Sequence, residues 1–543
     1  MTCPLSPLTR RISAFLQDRP AATLFSLGML LSFLVMPKSP LLMVSDSYRR
    51  FLVSGWIAGG LDPQGFLPGV DNVKHYWWGI GQSALFAPFD RIFLLLGAAT
   101  PDSRFILTAW FLFPLINGSV FAVAWYALRE LGFTCRKSTM GIVVFILTTT
   151  ILFHFQNNQE NPMMLSCALG SIVAICRWDK TRSLAWLNVA CALQAWNVIV
   201  RIPNLAFVLP LFGLPFLGRI LDRTQPTDWR KEIRDLLTVS AFAIPWTLFA
   251  VFVDRWWHWL RFGTWSGTGY SIAQKWAMET FNDLPPGYPY SVRFMDGFLG
   301  HLFSPAKGVF FYEPLVGLVI AFWFIRKAIA PPRMKGLAII SVVAILGSMI
   351  GLARLAGWNS EPNWGPRHVA TPCHLLELGL GAWLVSNVRP RSWVGAATGA
   401  LVAIAFLVQV SGFWWPAYHE NVVMMYRKGP EYMEFTTRLW SKGLGWTDPD
   451  SNTDWRFLDR PIGVAKDMVR QITLPTEQWV ATKPPFRMIW ITSPLQSLSA
   501  PVRWSVRLVW LLGLGLAVLL GRLAIIGSTR IDEAQSGTRS IRS

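Results

Sequence analysis

Residues 105–137 read FILTAWFLFPLINGSVFAVAWYALRELGFTCRK. The run has no charged residue before Arg129, and it is long enough to cross the roughly 30 Å of hydrocarbon in a bilayer as one helix. Arg129, Arg136 and Lys137 then follow closely. Basic residues beside an apolar span are typical of the cytoplasmic side of a membrane. The stretch therefore predicts a membrane helix that ends in the cytoplasm.

Similar apolar runs recur along most of the 543 residues, and the composition agrees with them. Hydrophobic residues make up 52% of the chain and charged residues 15%, whereas about a quarter of a soluble protein is charged. The mean hydropathy is +0.36. Because lipid offers the backbone no hydrogen bonds, these runs predict an all-α polytopic membrane protein with about twelve transmembrane helices. The predicted spans are residues 21–36, 105–128, 140–153, 163–176, 184–200, 205–217, 236–253, 309–325, 336–351, 371–386, 393–410 and 504–526.

The formal net charge of +19 comes mostly from short turns between the predicted spans. Basic residues cluster in the turns at 129–137, 177–182, 219–234, 326–335 and 389–391. When these turns are all placed in the cytoplasm, the spans alternate consistently and both termini are cytoplasmic. The positive charge thus reflects topology, and no nucleic-acid partner is expected. Pro37 and Pro40 follow the first span in place of a small-residue cleavage site, so we expect that span to be retained.

Long segments on the predicted outer side are 37–104, 254–308 and 411–503. Segments of this length usually carry function or their own structure. Within the first of them, the apolar residues of 46–59 recur at helical spacing, and 84–98 is apolar but interrupted by charge. We predict that both form helices in the outer interface. The predicted organisation is a transmembrane core at 1–412, an outer lobe at 413–503, and a last span with a cytoplasmic tail at 504–543.

The six cysteines and seven histidines follow no spacing typical of a disulfide framework or a metal site. The cysteines fall in predicted spans or on the cytoplasmic side, where disulfides are rare. An acidic pair, Asp448 and Asp450, flanks Pro449, and this composition favours a turn over metal binding. We expect no bound metal and no cofactor.

Polar motifs follow one another in and near the outer segments. The early ones are Asp46-Ser47-Tyr48, Lys74-His75-Tyr76 and Gly81-Gln82-Ser83-Ala84-Leu85. The later ones are Val200-Arg201-Ile202-Pro203-Asn204, Phe303-Ser304-Pro305-Ala306-Lys307-Gly308 and Trp364-Gly365-Pro366-Arg367-His368. In this order, over roughly residues 20–415, the motifs resemble those of the polytopic glycosyltransferases of the GT-C superfamily. That superfamily includes the protein mannosyltransferases and the aminoarabinose transferases of lipid A, and the similarity is to its bacterial branch.

The resemblance implies a reaction, a place and a set of residues. Such enzymes take a sugar from a polyprenyl-phosphate carrier at the outer face of the bacterial cytoplasmic (inner) membrane and transfer it with inversion. The acceptor here would be an unidentified glycan, lipid or protein, and Asp46 is the expected general base. The phosphate that leaves gains charge and requires cations. The expected substrate-binding residues are Tyr48, Lys74, His75, Arg201, Lys307, Trp364, Arg367 and His368.

Several polar residues also have a purely structural interpretation. Asp46 can cap the helix that it begins, and Lys307 can be an interfacial lysine whose amine reaches toward water. Arg201 can form a structural ion pair with Glu160, because charge within a membrane is costly unless it is paired. Glu377 lies inside a predicted span, either as a buried hydrogen-bonded residue or as part of a relay.

Two other functions fit parts of the pattern. A transporter or flippase of a lipid-linked sugar would share the basic sites and the amphipathic helices, but the sequence shows no repeated halves, which many transporters have. A non-catalytic protein of envelope assembly would use 411–503 as a binding lobe. The positions of the polar motifs, in outer segments and not at midplane, favour the transferase.

Overall fold

The computed structural model describes residues 16–35, 46–59, 79–156, 160–222, 228–266, 290, 292–303, 308–318, 330–355, 367–388, 392–414 and 500–540. In these ranges the regular structure is helical and contains no β-strand, which confirms the all-α prediction for the described part. The helices are α1 (Pro20–Val35), α2 (Asp46–Ala58), α3 (Gly81–Leu95), α4 (Pro101–Glu130), α5 (Cys135–Thr148), α6 (Ile151–Gln156), α7 (Asn161–Thr181), α8 (Leu184–Val200), α9 (Leu205–Leu211), α10 (Leu214–Leu221), α11 (Trp229–Phe262), α12 (Phe294–Phe303), α13 (Val309–Tyr312), α14 (Pro332–Leu352), α15 (Ala370–Asn387), α16 (Trp393–Trp414) and α17 (Ala500–Ser540).

Helix α4 shows how local sequence sets a helix in this chain. The Thr100 hydroxyl accepts a hydrogen bond from the Ser103 N–H at 3.2 Å, and Pro101 occupies the first helical position. The helix ends at Glu130, and Gly132 follows with a φ of +104°, a conformation that favours glycine. The predicted span at 105–128 lies inside these bounds.

Five helical stretches are long and apolar enough to cross a membrane, among the residues that the structure describes. They are Pro101–Glu130, Ile202–Leu221, Trp229–Arg261, Pro332–Leu352 and Arg507–Ser536. Shorter apolar helices are Pro20–Val35, Leu184–Val200 and Trp393–Gln409. The chain is therefore a helical membrane protein, but the predicted number of about twelve spans is not confirmed.

The difference in the number of spans has local causes. The predicted span at 140–153 is divided between α5 and α6, because Thr149 takes an extended conformation after α5. The predicted span at 309–325 starts as the short helix α13 and a 3-10 turn at Pro314–Gly317, and residues 319–329 are not described. Helix α15 has 18 residues, but His374 and Glu377 lower its hydropathy.

The helices pack into a bundle with α7 and α15 in its interior. Helix α7 packs against α4 and α8, and α15 packs against α5 and α14. Every residue of α15 from Ala370 to Leu384 is buried. Helix α17, although last in the sequence, packs against α1 and α5, so that it completes the bundle.

Small residues allow α1 and α4 to approach closely. A Cβ atom on Gly28 would lie 2.8 Å from the Gly118 Cα, so neither helix has room for a side chain there. The Asn117 amide donates a hydrogen bond to the Ser32 hydroxyl at 2.8 Å beside this contact. Small residues and interhelical hydrogen bonds of this kind are typical of helix packing in membranes.

Charged residues mark the two ends of α7. Near its C-terminus, Asp179 pairs with Arg182, Arg219 and Arg333. These arginines come from three of the basic turns that the sequence places in the cytoplasm. Glu160 lies at the other end of α7, and the 21 residues of the helix separate the ends by about 30 Å.

Helices α11 and α17 expose large apolar side chains. Leu237 and Leu248 of α11 and Val509 and Val518 of α17 are more than half exposed. Exposed apolar faces of this extent fit contact with lipid.

The outer segments are described in part. The predicted interfacial helices at 46–59 and 84–98 correspond to α2 and α3, although α3 starts and ends three residues earlier than predicted. The predicted lobe at 413–503 lies almost wholly in residues 415–499, which are outside the described residues.

Candidate functional site

Four charged residues meet at the end of α7 opposite Asp179, and we call Arg50, Glu160, Arg201 and Arg367 the arginine cluster. Arg50 of α2 forms an ion pair with Glu160 and donates a hydrogen bond to the Gln82 side chain of α3 at 2.7 Å. Glu160 is wholly buried, and Arg50 is only 1% exposed. Two short helices of the first outer segment are thus held to the bundle by charge.

The other two arginines belong to distant parts of the chain. The Arg201 guanidinium donates a hydrogen bond to Nδ1 of His368, and its Nη1 lies 3.9 Å from Oε1 of Glu160. Arg367 adjoins His368, is buried, and acts electrostatically on Glu160. The site therefore combines residues from the first outer segment, the α8–α9 junction and the start of α15.

The local sequence explains how Arg201 and Gln82 reach the site. Helix α8 ends at Val200, and Arg201 is extended with φ and ψ of −157° and 108° before the 3-10 turn Ile202–Asn204. A Cβ on Gly81 would lie 2.6 Å from the Val200 side chain, so α3 can begin against the end of α8 only with glycine there. This contact places Gln82 beside the arginine cluster.

Electrostatics keep Glu160 ionised. Burial alone would raise the pKa of its carboxyl, but three guanidinium groups together hold that pKa well below its ordinary range. The three groups belong to Arg50, Arg367 and Arg201. Three cations and one carboxylate give these four groups a net positive charge, in surroundings where burial strengthens their effect.

Such an arrangement can bind an anion. Guanidinium groups hold phosphate or carboxylate oxygens with paired hydrogen bonds, and these are strong when the donors are already fixed in place. The folding of the chain has already removed most water from Arg50 and Arg367. The free-energy cost of removing water from these donors is therefore part of folding, and it is not added again when a phosphate binds.

The structure brings together three of the residues that the sequence assigns to the site, namely Arg201, Arg367 and His368. Asp46 is the first residue of α2, four positions before Arg50 and therefore about one turn away on the same helix. The predicted residues Lys74, His75, Lys307 and Trp364 lie outside the described residues. Their assignments stay predictions.

Tyr48 lies elsewhere on α2. Its hydroxyl donates a hydrogen bond to Asp102 of α4, and its ring packs against Phe105 with 5.2 Å between the centroids. Burial first, and then Asp102, raise the pKa of the hydroxyl above its ordinary value. In the structure this side chain fixes α2 to α4, and none of its described contacts joins the arginine cluster.

Sequence reasoning missed Arg50 and Gln82. The helical pattern of α2 places Arg50 and Ser54 away from the apolar stripe, on a polar side, whereas both are buried. The pattern is misleading because α2 is covered on more than one side and a distant carboxylate pairs with Arg50. The ion pair of Arg201 with Glu160 that the sequence suggested is present as a long contact of 3.9 Å. Glu160 is therefore the residue from which the charged site could have been predicted.

No cluster of three or more His, Cys, Asp or Glu residues in the described ranges has the arrangement of a metal site. No protein-family model matches this chain, and no curated protein matches its sequence. The functional argument therefore depends on the residues themselves.

Proposed function

We propose that the protein is a glycosyltransferase that transfers a sugar from a polyprenyl-phosphate carrier to an envelope acceptor at the outer face of the bacterial cytoplasmic membrane. The observation that carries this proposal is the arginine cluster. It gathers three guanidinium groups from distant segments, two of them buried and that of Arg201 half-buried, at the end of the bundle opposite the basic turns assigned to the cytoplasm. Both termini are cytoplasmic in this proposal.

The chemistry requires a cationic site and a base close together. The acceptor oxygen or nitrogen attacks the anomeric carbon, and the bond from that carbon to the phosphate oxygen breaks with its electron pair on the phosphate. The configuration inverts, and Asp46 takes the proton of the acceptor. The arginine cluster stabilises the charge that develops on the departing polyprenyl phosphate.

The position of Asp46 supports its role. It lies four residues before Arg50, about 6 Å along the axis of α2, and residues four apart are placed on the same face of a helix. Tyr48, Lys74, His75, Lys307, Trp364 and His368 complete the proposed substrate-binding set. The sugar and the acceptor are chosen by contacts beyond the arginine cluster.

Binding of a polyprenyl monophosphate to the purified protein in lipid nanodiscs tests the proposal. Arg50→Gln and Arg367→Gln should each weaken binding on the order of tenfold to a hundredfold, because a hydrogen bond to a charged group contributes about 1.5–3 kcal/mol. Arg367→Lys should fall between, because an ammonium cannot form two parallel hydrogen bonds with a phosphate. Arg293→Gln is the matched control, since the Arg293 side chain is 84% exposed and pairs with Asp296 three residues further along the chain.

If the control and both glutamine variants bind the polyprenyl monophosphate with equal affinity, the arginine cluster does not bind the phosphate. A second measurement separates the transferase from a transporter. Membrane vesicles from cells with and without the gene are compared for envelope glycans and for movement of the lipid-linked sugar across the bilayer. Movement without a new glycosidic product would support the transporter instead.

A further inference from the structure

A second polar cluster, distinct from the first, lies inside the bundle, and we call Glu313, His374 and Glu377 the carboxyl–imidazole cluster. The Glu313 carboxylate lies 3.0 Å from Nε2 of His374, and the Thr150 hydroxyl donates a hydrogen bond to the same carboxylate. Thr150 Oγ1 is also 3.0 Å from Nε2 of His374. Glu313, His374, Glu377 and Thr150 are all fully buried.

Two breaks in the helical structure create this cluster. Thr150 lies between α5 and α6, and Glu313 lies between α13 and the 3-10 turn with φ and ψ of −126° and 64°. The Gln409 amide of α16 donates to the Tyr312 carbonyl at 2.7 Å and so fixes the residue before Glu313. A carboxylate is therefore built into the interior by several elements at once.

Glu377 makes the cluster unusual. It lies one turn after His374 on α15 and faces the Glu313 carboxyl and the N–H groups of Leu315 and Val316, although none of these contacts has hydrogen-bond geometry. Two carboxyl groups thus share a buried space with one imidazole. Two carboxylates in one buried space repel each other, so a proton held between them stabilises the pair.

His154 lies between the carboxyl–imidazole cluster and the arginine cluster. Its ring centroid is 5.9 Å from that of His374, and the Asn161 amide nitrogen is 3.1 Å from its Nε2. The ring is wholly buried on α6. Burial, His374 and Arg367 lower the pKa of His154 well below its usual value, whereas Glu160 opposes them.

We propose that Glu313, His374 and Glu377 form a proton-binding site, and that His154 connects it to the arginine cluster so that an anion binds there together with a proton. This coupling rests on the proposed function, since it needs the arginine cluster to bind a phosphate. Burial is the first cause of the lowered pKa of His154, and the positive charge of Arg367 adds to it. A phosphate beside Arg367 offsets that second contribution. His154 can then accept a proton from the medium or from the carboxyl–imidazole cluster.

The charged groups around the two sites are consistent with phosphate binding that favours protonation of His154. In the described part, the titratable groups near Glu377 are Glu313 from another element and Cys373 and His374 from the same helix. Those that face His154 are His374, Arg367 and Glu160. Coupling between binding events is reciprocal, so protonation of His154 must strengthen phosphate binding as much as phosphate favours protonation.

Infrared spectroscopy tests the proton site without any ligand. The wild-type protein at neutral pH should show the carbonyl stretch of a protonated carboxylic acid in an apolar environment, shifted by exchange into D₂O. Glu377→Gln should remove the band, and Glu377→Asp should shift it. Glu130→Gln is the control, because Glu130 is ion-paired with Lys180 and lies outside the carboxyl–imidazole cluster.

If no such band occurs in the wild type, or if Glu377→Gln and Glu377→Asp both leave it unchanged, the proton site is refuted. When the glutamine variant does not fold, Glu377→Asp decides the assignment: a shifted band supports the proton site and an unshifted band refutes it.

Calorimetry tests the coupling. Polyprenyl monophosphate is titrated into wild-type protein and His154→Gln in nanodiscs, in two buffers that differ in ionisation enthalpy. Wild type should take up more protons per ligand than His154→Gln; the ligand's own ionisation is common to both and cancels. Equal proton numbers would refute the coupling while leaving the phosphate site intact. Absence of binding to wild type would refute the phosphate site and the coupling with it, whereas the infrared result would still decide the proton site.

Discussion

Asp46 begins α2, one helical turn before Arg50, and its replacement separates a catalytic role from a structural one. Asp46→Asn keeps an oxygen that can accept a hydrogen bond at a helix N-terminus but removes the group that takes a proton. We expect sugar transfer to fall on the order of a hundredfold or more, because the reaction loses its general base. The thermal unfolding temperature should not change. Transfer is measured with saturating lipid donor.

Asp46→Ala supplies the comparison for that experiment. It removes both the base and the oxygen that can cap the helix, and loss of a cap costs about 1 kcal/mol. Full transfer by Asp46→Asn, together with a lower unfolding temperature only in Asp46→Ala, would identify Asp46 as a helix cap.

His301 makes the stability of the protein depend on pH. It lies in α12 with 1% of its surface exposed, and burial lowers its pKa from 6.5 to about 4. The unfolded chain therefore binds the proton first. The free energy of unfolding therefore has its full value above pH 6.5. It decreases by up to about 3 kcal/mol as the pH falls toward 4. Unfolding is followed at a series of pH values, and His301→Gln should flatten the curve in that window; an unchanged slope would contradict the assignment.

Arg50 shows why residue patterns predict only part of the site. Its position relative to the apolar stripe of α2 indicates a solvated arginine, yet its partner Glu160 lies 110 residues further along the chain. The spacing of apolar residues within one helix cannot predict a contact so distant in the sequence. Arg201, Arg367 and His368 were identifiable because their motifs are unusual beside apolar spans, whereas Arg50 became meaningful only once the helices were placed together.

At the scale of elements, the contact between α1 and α4 depends on glycine. Gly28→Ala places a Cβ 2.8 Å from backbone atoms of Asn117 and Gly118, which cannot move aside as a side chain can. We expect a loss of about 1–3 kcal/mol of stability from overpacking. Gly347→Ala in α14 is the matched control, because nothing lies within 4 Å of its Cβ position. Helix propensity alone should make that control neutral or more stable by about 0.5–1 kcal/mol, and equal effects of the two substitutions would contradict the close contact.

Helices that depend on local signals were predicted well. The predicted span at 184–200 is α8, Leu184–Val200, and the predicted interfacial helix at 46–59 is α2, Asp46–Ala58. The break between α5 and α6 was missed, because Thr149 and Thr150 are apolar enough in sequence to continue a span. Their hydroxyls and the Thr150 N–H instead serve contacts inside the bundle, including those to Glu313.

At the scale of the whole molecule, the charges separate into two ends. Arg182, Arg219 and Arg333 meet around Asp179 at one end of α7, and the arginine cluster surrounds Glu160 at the other. The first end assembles residues from turns that the positive-inside rule assigns to the cytoplasm. With that assignment, the proposed function requires the second end, which holds the buried Arg50 and Arg367, to face outward.

Cysteine labelling tests this orientation. Ser451→Cys, in the predicted outer lobe, should react with a membrane-impermeant thiol reagent in spheroplasts, and Ser543→Cys at the C-terminus should react only in inside-out vesicles. The background is low once Cys3 is replaced by serine, because Cys135, Cys176, Cys191 and Cys373 are buried and Cys167 is partly buried. The two positions flank α17, which contains a stretch, Arg507–Ser536, long enough to cross the bilayer once. If both variants react from the same side, α17 does not cross the membrane, and the arginine cluster can no longer be assigned to the outer face by the charges at the opposite end of α7.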